Sequence, residues 1–160
     1  MKTLYLVGGT MGVGKTTVCR RLKVLLPNSV FLDGDWCWDM HPFQITEETK
    51  AMVLDNICHL LYNFLGCSAF QNIIFCWVLH EQSTLARLDL KDCSVKSVSL
   101  VCDAAHLTAR LQRDVERGIR MPDVIGRSLS RVPLYEGLST VKVDVSEMTA
   151  EQAAEAIMKL

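Results

Sequence analysis

Short apolar runs alternate along the chain with longer stretches in which apolar residues recur every three or four positions. The runs predict buried β-strands at residues 3–7, 29–32, 72–78, 95–102 and 140–145. The periodic stretches predict helices at residues 18–26, 47–65, 81–88, 104–117, 123–135 and 149–158. Strands and helices that alternate in this way form a parallel sheet with helices on both faces. The pattern therefore predicts an α/β fold with three layers, α/β/α, around a sheet of about five strands.

Composition narrows the class of protein. The chain has 160 residues, of which 49% are apolar, and this is the usual size and composition of one domain. No repeat or linker interrupts it, so we expect a single domain over residues 1–160. The formal net charge of -1 gives no general attraction to nucleic acid or to an anionic membrane. The seven cysteines form no C-x-x-C pair, which favours free thiols in a reducing cytoplasm. We therefore expect a cytoplasmic protein, a monomer or weak homodimer, with no nucleic-acid or membrane partner.

A glycine-rich segment between the first strand and the first helix has the pattern G-x-x-x-x-G-K-T. Its defining residues are Gly9, Gly14, Lys15 and Thr16. A loop of small residues can turn its backbone N–H groups towards an anion, and the helix that follows adds the positive end of its dipole. In this pattern the lysine reaches the β- and γ-phosphates and the threonine hydroxyl binds Mg²⁺. The sequence therefore predicts ATP and Mg²⁺ as cofactors. The predicted nucleotide-binding residues are Gly9, Thr10, Met11, Gly12, Val13, Gly14, Lys15, Thr16 and Thr17.

Acidic and aromatic residues follow the second strand, where a doubly wound sheet places its ligand crevice. Asp33 and Asp35 flank a glycine, and Trp36 comes directly after them. One carboxylate can order the waters of a metal ion while the other accepts a proton from an attacking hydroxyl. An ordinary Asp-Gly turn is the alternative. His80 follows the third strand and is a further candidate for contact with a substrate.

These motifs resemble those of P-loop kinases for small molecules and nucleotides. The resemblance to shikimate, gluconate and adenylylsulfate kinases is carried by LVGGTMGVGKTT and by FLDGDWCWDMHPF. It implies a P-loop domain in which Asp33 lies on the metal side, with Thr16, and Asp35 is the catalytic base. The stretch RVPLYE is similar to one in shikimate kinases, where its arginine grips the substrate's carboxylate. Arg131 is therefore a candidate substrate-binding residue, with a helix-capping role as the alternative.

A run of arginines resembles the lid of these kinases. Arg110, Arg113, Arg117 and Arg120 recur at helical spacing, which predicts that they share one face of a helix. The resemblance implies a short helical lid at about residues 110–127, in which Arg113 and Arg117 stabilise the transferring phosphoryl group. The alternative is a solvated basic face with Arg110–Asp114 and Glu116–Arg120 pairs.

Together these features predict an ATP-dependent phosphotransferase acting on a small hydroxyl-bearing metabolite. Lys15, Asp35, Arg113 and Arg117 are the predicted catalytic residues. Two alternatives remain: a nucleoside monophosphate kinase, and a regulatory module that binds ATP without transferring its phosphate.

Overall fold

The computed structural model describes residues 1–160, in which strands and helices alternate from the first strand to the last helix. Its strands are β1 (Lys2–Gly8), β2 (Ser29–Asp33), β3 (Asn72–Cys76), β4 (Cys93–Val101) and β5 (Val141–Asp144). Its α-helices are α1 (Lys15–Leu25), α2 (Glu47–Gly66), α3 (Gln82–Arg87), α4 (Ala104–Glu116), α5 (Val124–Arg131) and α6 (Ala150–Met158). Short 3-10 helices at Gly34–Trp38 and Val132–Tyr135 follow β2 and α5.

The strands form one parallel sheet with β1 at its centre. Their order is β2-β3-β1-β4-β5. Val7, near the end of β1, pairs with Cys76 of β3 on one side and with Val98 of β4 on the other. Parallel strands that end together place the segments that follow them along one edge of the sheet. The predicted fold class, a three-layer α/β/α domain with a parallel sheet of about five strands, is confirmed.

Alternating side chains of β1 enter two separate hydrophobic cores. Val7 packs with residues of α1, α4 and α6 on one face of the sheet. Leu6 packs with residues of α2 and α3 on the other face. Because both faces are covered, the central strand is apolar at nearly every position, as expected for a parallel sheet. None of the helices is both long enough and apolar enough to cross a bilayer.

Two elements end earlier than the sequence predicts. The helix predicted at residues 123–135 ends at Arg131 and continues as a 3-10 turn, because Pro133 has no N–H to donate to a helix. The third strand ends at Cys76, so that Trp77 and Val78 lie beyond the sheet. Leu79 then adopts a φ of 41°, which turns the chain away from the strand direction. Trp77 and His80 consequently belong to a loop at the edge where ligands bind in this fold.

Candidate active site

The glycine-rich loop occupies the turn between the central strand β1 and helix α1. A cavity of about 400 Å³, here called the loop cavity, opens beside it. Gly12 has a φ of +82°, and an added Cβ would lie 2.4 Å from the Leu111 side chain of α4. Only glycine fits there, since a larger residue would be strained and would collide with α4. The loop residues Met11, Gly12, Gly14, Lys15, Thr16 and Thr17 line the loop cavity. Of the predicted nucleotide-binding residues, Val13 is buried beneath them and Thr10 is 2% exposed.

Lys15 begins helix α1 and lines the loop cavity. Its Nζ donates a hydrogen bond of 3.0 Å to the carbonyl of Thr10. Burial lowers the pKa of Lys15, and the nearby carboxylates of Asp33 and Asp35 oppose that shift. A partly desolvated ammonium interacts more strongly with an anion than one in bulk water. The position therefore suits a phosphate contact.

Thr16 and Asp33 connect the loop to the end of strand β2. The Thr16 hydroxyl donates a 2.7 Å hydrogen bond to Oδ2 of Asp33, whose other carboxylate oxygen accepts from the backbone N–H of Asp35 at 3.0 Å. Asp33 is only 5% exposed. Hydroxyl and carboxylate oxygens are the ligands that Mg²⁺ prefers, and it commonly takes its other ligands from water and phosphates. No group of three or more His, Cys, Asp or Glu side chains gathers elsewhere into a metal site. Thr16 and Asp33 therefore fit a nucleotide-bound Mg²⁺.

Asp35 sits on the 3-10 helix after β2, where it is partly exposed and lines both cavities. Burial, and then the neighbouring Asp33 charge, raise the pKa of Asp35, while Lys15 opposes the rise. Gly34 packs directly beneath the indole of Trp77, since a Cβ there would lie 2.5 Å from the ring. The glycine between the two aspartates thus admits an aromatic side chain from the β3 loop.

The arginines of the predicted lid have different environments. Arg110 of α4 donates to the carbonyls of Val13 and Val145, at 3.1 and 2.7 Å, and so fixes α4 to the loop. Arg113 and Arg117 are exposed and line the loop cavity. The ion pairs Arg110–Asp114 and Glu116–Arg120, which the sequence suggested as an alternative, do not form. Arg120 pairs with Asp114 instead, at 3.1 Å. Arg110 is thus an anchor, and Arg113 and Arg117 are free to meet an anion.

A second cavity, here called the larger cavity, lies next to the loop cavity. Its volume is about 1170 Å³, and 11 of its 24 lining residues are hydrophobic, compared with 1 of 13 in the loop cavity. Three candidate substrate-binding residues, Trp36, His80 and Arg131, line it. His80 lies 3.6 Å from Glu81, and its Nδ1 is buried without a hydrogen-bond partner. Burial lowers the pKa of His80, which favours the neutral ring.

The two cavities meet at a small set of side chains. Met11, Lys15, Asp35 and Arg120 line both of them. A group bound in the loop cavity and a group bound in the larger cavity would therefore approach each other between an ammonium, a carboxylate and a guanidinium. Asp33 lines only the loop cavity, which separates it from the predicted substrate contacts.

Comparison with known proteins identifies the family. The family profile described as "AAA domain" matches residues 6–126, which include the loop, the acidic pair and the arginine run. The chain belongs to this AAA-domain family. No curated protein matches it in a sequence comparison.

Solved structures similar to this AAA domain include several kinases. A tunicamycin resistance protein from Deinococcus radiodurans is 20% identical, with a TM-score of 0.74 over 99% of this chain and 95% of that one. A gluconokinase from Sinorhizobium meliloti 1021 is 20% identical, with a TM-score of 0.70 over 98% and 90% of the two chains. A shikimate kinase from Acinetobacter baumannii, solved with shikimate, is 22% identical, with a TM-score of 0.66 over 99% and 92%. The resemblance to P-loop small-molecule kinases is confirmed at the level of the fold.

Two features of the AAA-domain site were not predicted from the sequence. Ser128 of α5 is fully buried, shares a 2.9 Å hydrogen bond with the Thr10 hydroxyl, and donates at 2.6 Å to the carbonyl of Met11. Trp77 covers Gly34 and lines the larger cavity. Both are long-range contacts, and no local pattern in the sequence indicates them.

Proposed function

We propose that this AAA domain is an ATP-dependent kinase that transfers the γ-phosphoryl group to a hydroxyl of a small molecule. The observation that carries the proposal is the junction of the two cavities, where Lys15, Asp35 and Arg120 line both. The fold it shares with a gluconokinase and a shikimate kinase supports the same reaction class. The loop cavity would hold the nucleotide and the larger cavity the phosphoryl acceptor.

The residues at the junction have distinct tasks in this proposal. Asp35 accepts the proton of the acceptor hydroxyl, whose oxygen forms a new bond to the γ-phosphorus while the bond to the β-γ bridging oxygen breaks and ADP leaves. Lys15 neutralises charge on the phosphates, and Arg113 and Arg117 bind the transferring group from the side of α4. Mg²⁺, held by Thr16 and by Asp33 directly or through water, would supply charge neutralisation at the phosphates.

Water must be excluded for the transfer to be productive, because water is also a competent acceptor. The exposed Arg113 and Arg117 lie near the turn between α4 and α5, where closure of the chain would cover the nucleotide. The acidic pair favours an uncharged hydroxyl over a phosphate as the acceptor, since two carboxylates repel a phosphate.

The test is acceptor-dependent release of ADP from ATP and Mg²⁺ over a panel of sugars, sugar acids, cyclic hydroxy acids, aromatic glycosides and nucleoside monophosphates. We expect turnover with a hydroxyl acceptor, reduced about 10²- to 10³-fold in Lys15→Ala because the phosphate charge loses its counter-ion. Lys23→Ala, on the exposed side of the same helix, should retain full activity.

Other outcomes would select the alternatives. Turnover only with a nucleoside monophosphate would identify a nucleotide kinase. ATP binding that depends on Lys15 without turnover on any acceptor would identify a nucleotide-binding module and contradict the proposal.

A further inference from the structure

All three tryptophans of the chain line the larger cavity. They are Trp36, Trp38 and Trp77. Trp38 packs against Trp77 with ring centroids 6.4 Å apart and against Phe43 at 5.5 Å. The loop cavity, by contrast, has Met11 as its single hydrophobic residue. The two cavities therefore suit ligands of opposite character.

Several apolar side chains at the larger cavity are more than half exposed. Trp36 is 54% exposed, Phe43 60% and Ile45 62%. They lie close together in sequence, on the segment that joins β2 to α2. Large apolar side chains that are exposed in the lining of one cavity indicate a ligand that covers them. A compact polyol would leave this surface wet and would place some of its hydroxyls against groups that cannot bond them.

The volume of the larger cavity supports the same conclusion. At about 1170 Å³, it exceeds the roughly 300–1,000 Å³ typical of sites for drug-sized ligands. A sugar acid of six carbons would fill only part of it. The cavity therefore has room for an acceptor that carries a body beyond the group that receives the phosphate.

The charged residues of the larger cavity indicate where an anion binds. Arg127 pairs with Asp123 at 3.0 Å, and Lys50 pairs with Glu47 at 3.1 Å. Arg131 and Arg87 have no ion-pair partner, and both line the cavity. Arg131 is half-buried near His80, and the Glu81 carboxylate beside that ring forms no ion pair with the guanidinium. A guanidinium in this setting binds a carboxylate through two parallel hydrogen bonds.

We propose that the acceptor carries an aromatic body, which lies against Trp36, Trp38 and Phe43, in addition to the carboxylate that the resemblance to shikimate kinases already assigns to Arg131. This inference rests on the proposed kinase function for the role of the hydroxyl, which Asp35 would deprotonate. Contacts with the aromatic body, rather than with further hydroxyl groups, provide most of the selectivity in this arrangement.

A set of four related compounds separates the contribution of the aromatic ring from that of the carboxylate. Glucose has neither an aromatic ring nor a carboxylate, phenyl β-glucoside has the ring, glucuronate has the carboxylate, and phenyl β-glucuronide has both. Binding to the full chain is measured by calorimetry and by tryptophan emission, which reports on the larger cavity because every tryptophan lines it. We expect phenyl β-glucuronide to bind at least about tenfold more tightly than either compound that lacks one element.

Matched variants test which residues bind the ring and which bind the carboxylate. Phe43→Ala, which removes an exposed ring, should lower the affinity for phenyl β-glucuronide about tenfold and leave the affinity for glucuronate unchanged. Arg131→Gln should lower the affinity for both acids and leave the affinity for phenyl β-glucoside unchanged. Arg20→Gln, on the exposed surface of α1, should change none of them.

Two results would overturn the inference. One is equal affinity for glucuronate and phenyl β-glucuronide, which would indicate a compact acceptor and leave the kinase proposal intact. The other is failure of all four compounds to bind at millimolar concentration while ATP binds. Binding of the four compounds is measured without ATP and requires no phosphoryl transfer. A failure of this inference is therefore distinguishable from a failure of the kinase proposal.

Discussion

Two aspartates separated by one glycine occupy different environments at the end of β2. Asp33 is 5% exposed and accepts hydrogen bonds from Thr16 and from the backbone of Asp35. Asp35 has its pKa raised by burial and by the charge of Asp33. The first carboxylate is thereby held in a fixed position, which suits a metal-side role. The raised pKa of the second suits a base that must accept a proton.

The raised pKa of Asp35 gives a prediction about stability. Its pKa is higher in the folded chain than in the unfolded one, so ionisation of Asp35 destabilises the fold as the pH rises above the ordinary aspartate range. We expect Asp35→Asn to raise the melting temperature at pH 7, and the gain to disappear near pH 3, where Asp35 is protonated in both states. Thermal unfolding monitored by circular dichroism at several pH values measures this.

The same variant should lose activity while it gains stability. Acceptor-dependent turnover should fall by about 10²- to 10⁴-fold, the usual contribution of a general base. In the unaltered chain, the acid limb of the pH–rate profile should lie above the ordinary aspartate pKa. Asp89→Asn, an exposed position away from both cavities, should affect neither quantity. A destabilised Asp35→Asn at pH 7 would contradict the environment described for this carboxylate.

At the scale of elements, the predicted lid is bounded by two anchors. Arg110 ties α4 to the carbonyls of Val13 and Val145, and Ser128 ties α5 to Thr10 and Met11. Between them, α4 ends at Glu116, and the exposed turn that follows carries Arg117. Hydrogen bonds therefore hold both ends of the lid against the glycine-rich loop. Arg113 and Arg117, which lie between the two anchors, stay exposed. Such a segment can close without detaching from the nucleotide site.

Removing the α5 anchor should affect nucleotide binding. In Ser128→Ala, the carbonyl of Met11 loses its donor in a buried setting, which costs about 1–3 kcal/mol in the free energy of unfolding. We expect the KM for ATP to rise several-fold with little change in kcat, because the geometry of the loop and not the chemistry is disturbed. Urea titration and steady-state kinetics measure the two effects.

Ser130 offers a matched control two residues along the same helix, on its exposed side. Its side chain is exposed and bonds only the carbonyl of Arg127. Ser130→Ala should therefore leave both the stability and the KM for ATP unchanged. An unchanged KM in Ser128→Ala would show that α5 does not position the loop.

On the scale of the whole molecule, the loop cavity is built by the loop after β1, by α1, by the end of β2 and the 3-10 helix that follows it, and by α4 and the turn after α4. A nucleotide bound there contacts elements from both halves of the chain. Ligand that binds only the folded state stabilises it by about 2.7 kcal/mol at 100 times its Kd.

We therefore expect ATP with Mg²⁺ at that excess to raise the melting temperature by about 5–10 °C in a domain of this size. Differential scanning fluorimetry measures the shift, and Lys15→Ala should lose most of it. A shift of equal size in Lys15→Ala would place the nucleotide elsewhere.

The sequence predicted most elements of the fold because each carries a local signal. Apolar runs mark the strands, and the loop motif lies between β1 and α1 where it is expected. The arginine run shows where local reasoning fails. Helical spacing predicted four arginines on one face, but α4 ends at Glu116, and Gly118 adopts a φ of +71° that lets the chain turn. Arg120 consequently leaves the helix, pairs with Asp114 and lines both cavities.

Contacts between distant residues account for the remaining differences. Ser128 meets Thr10, and Trp77 meets Gly34, only after the sheet and its helices have assembled. Nothing in the neighbouring sequence of Ser128 or Trp77 distinguishes it from an ordinary core or surface residue. The two cavities form only when the sheet and its helices pack together. The spacing of the arginines in the sequence therefore could not predict that Arg120 lines both cavities.

The central position of β1 affects how the protein is made. Its two hydrogen-bonding neighbours, β3 and β4, follow it in the chain after α1, β2 and α2 or later elements. During synthesis, the first strand therefore has no partner until β3, which ends at Cys76, has left the ribosome, and its second edge stays open until β4 follows. The loop cavity is complete only after α4 and the turn that carries Arg120 have emerged as well, and the open edges of an apolar strand favour aggregation in the meantime.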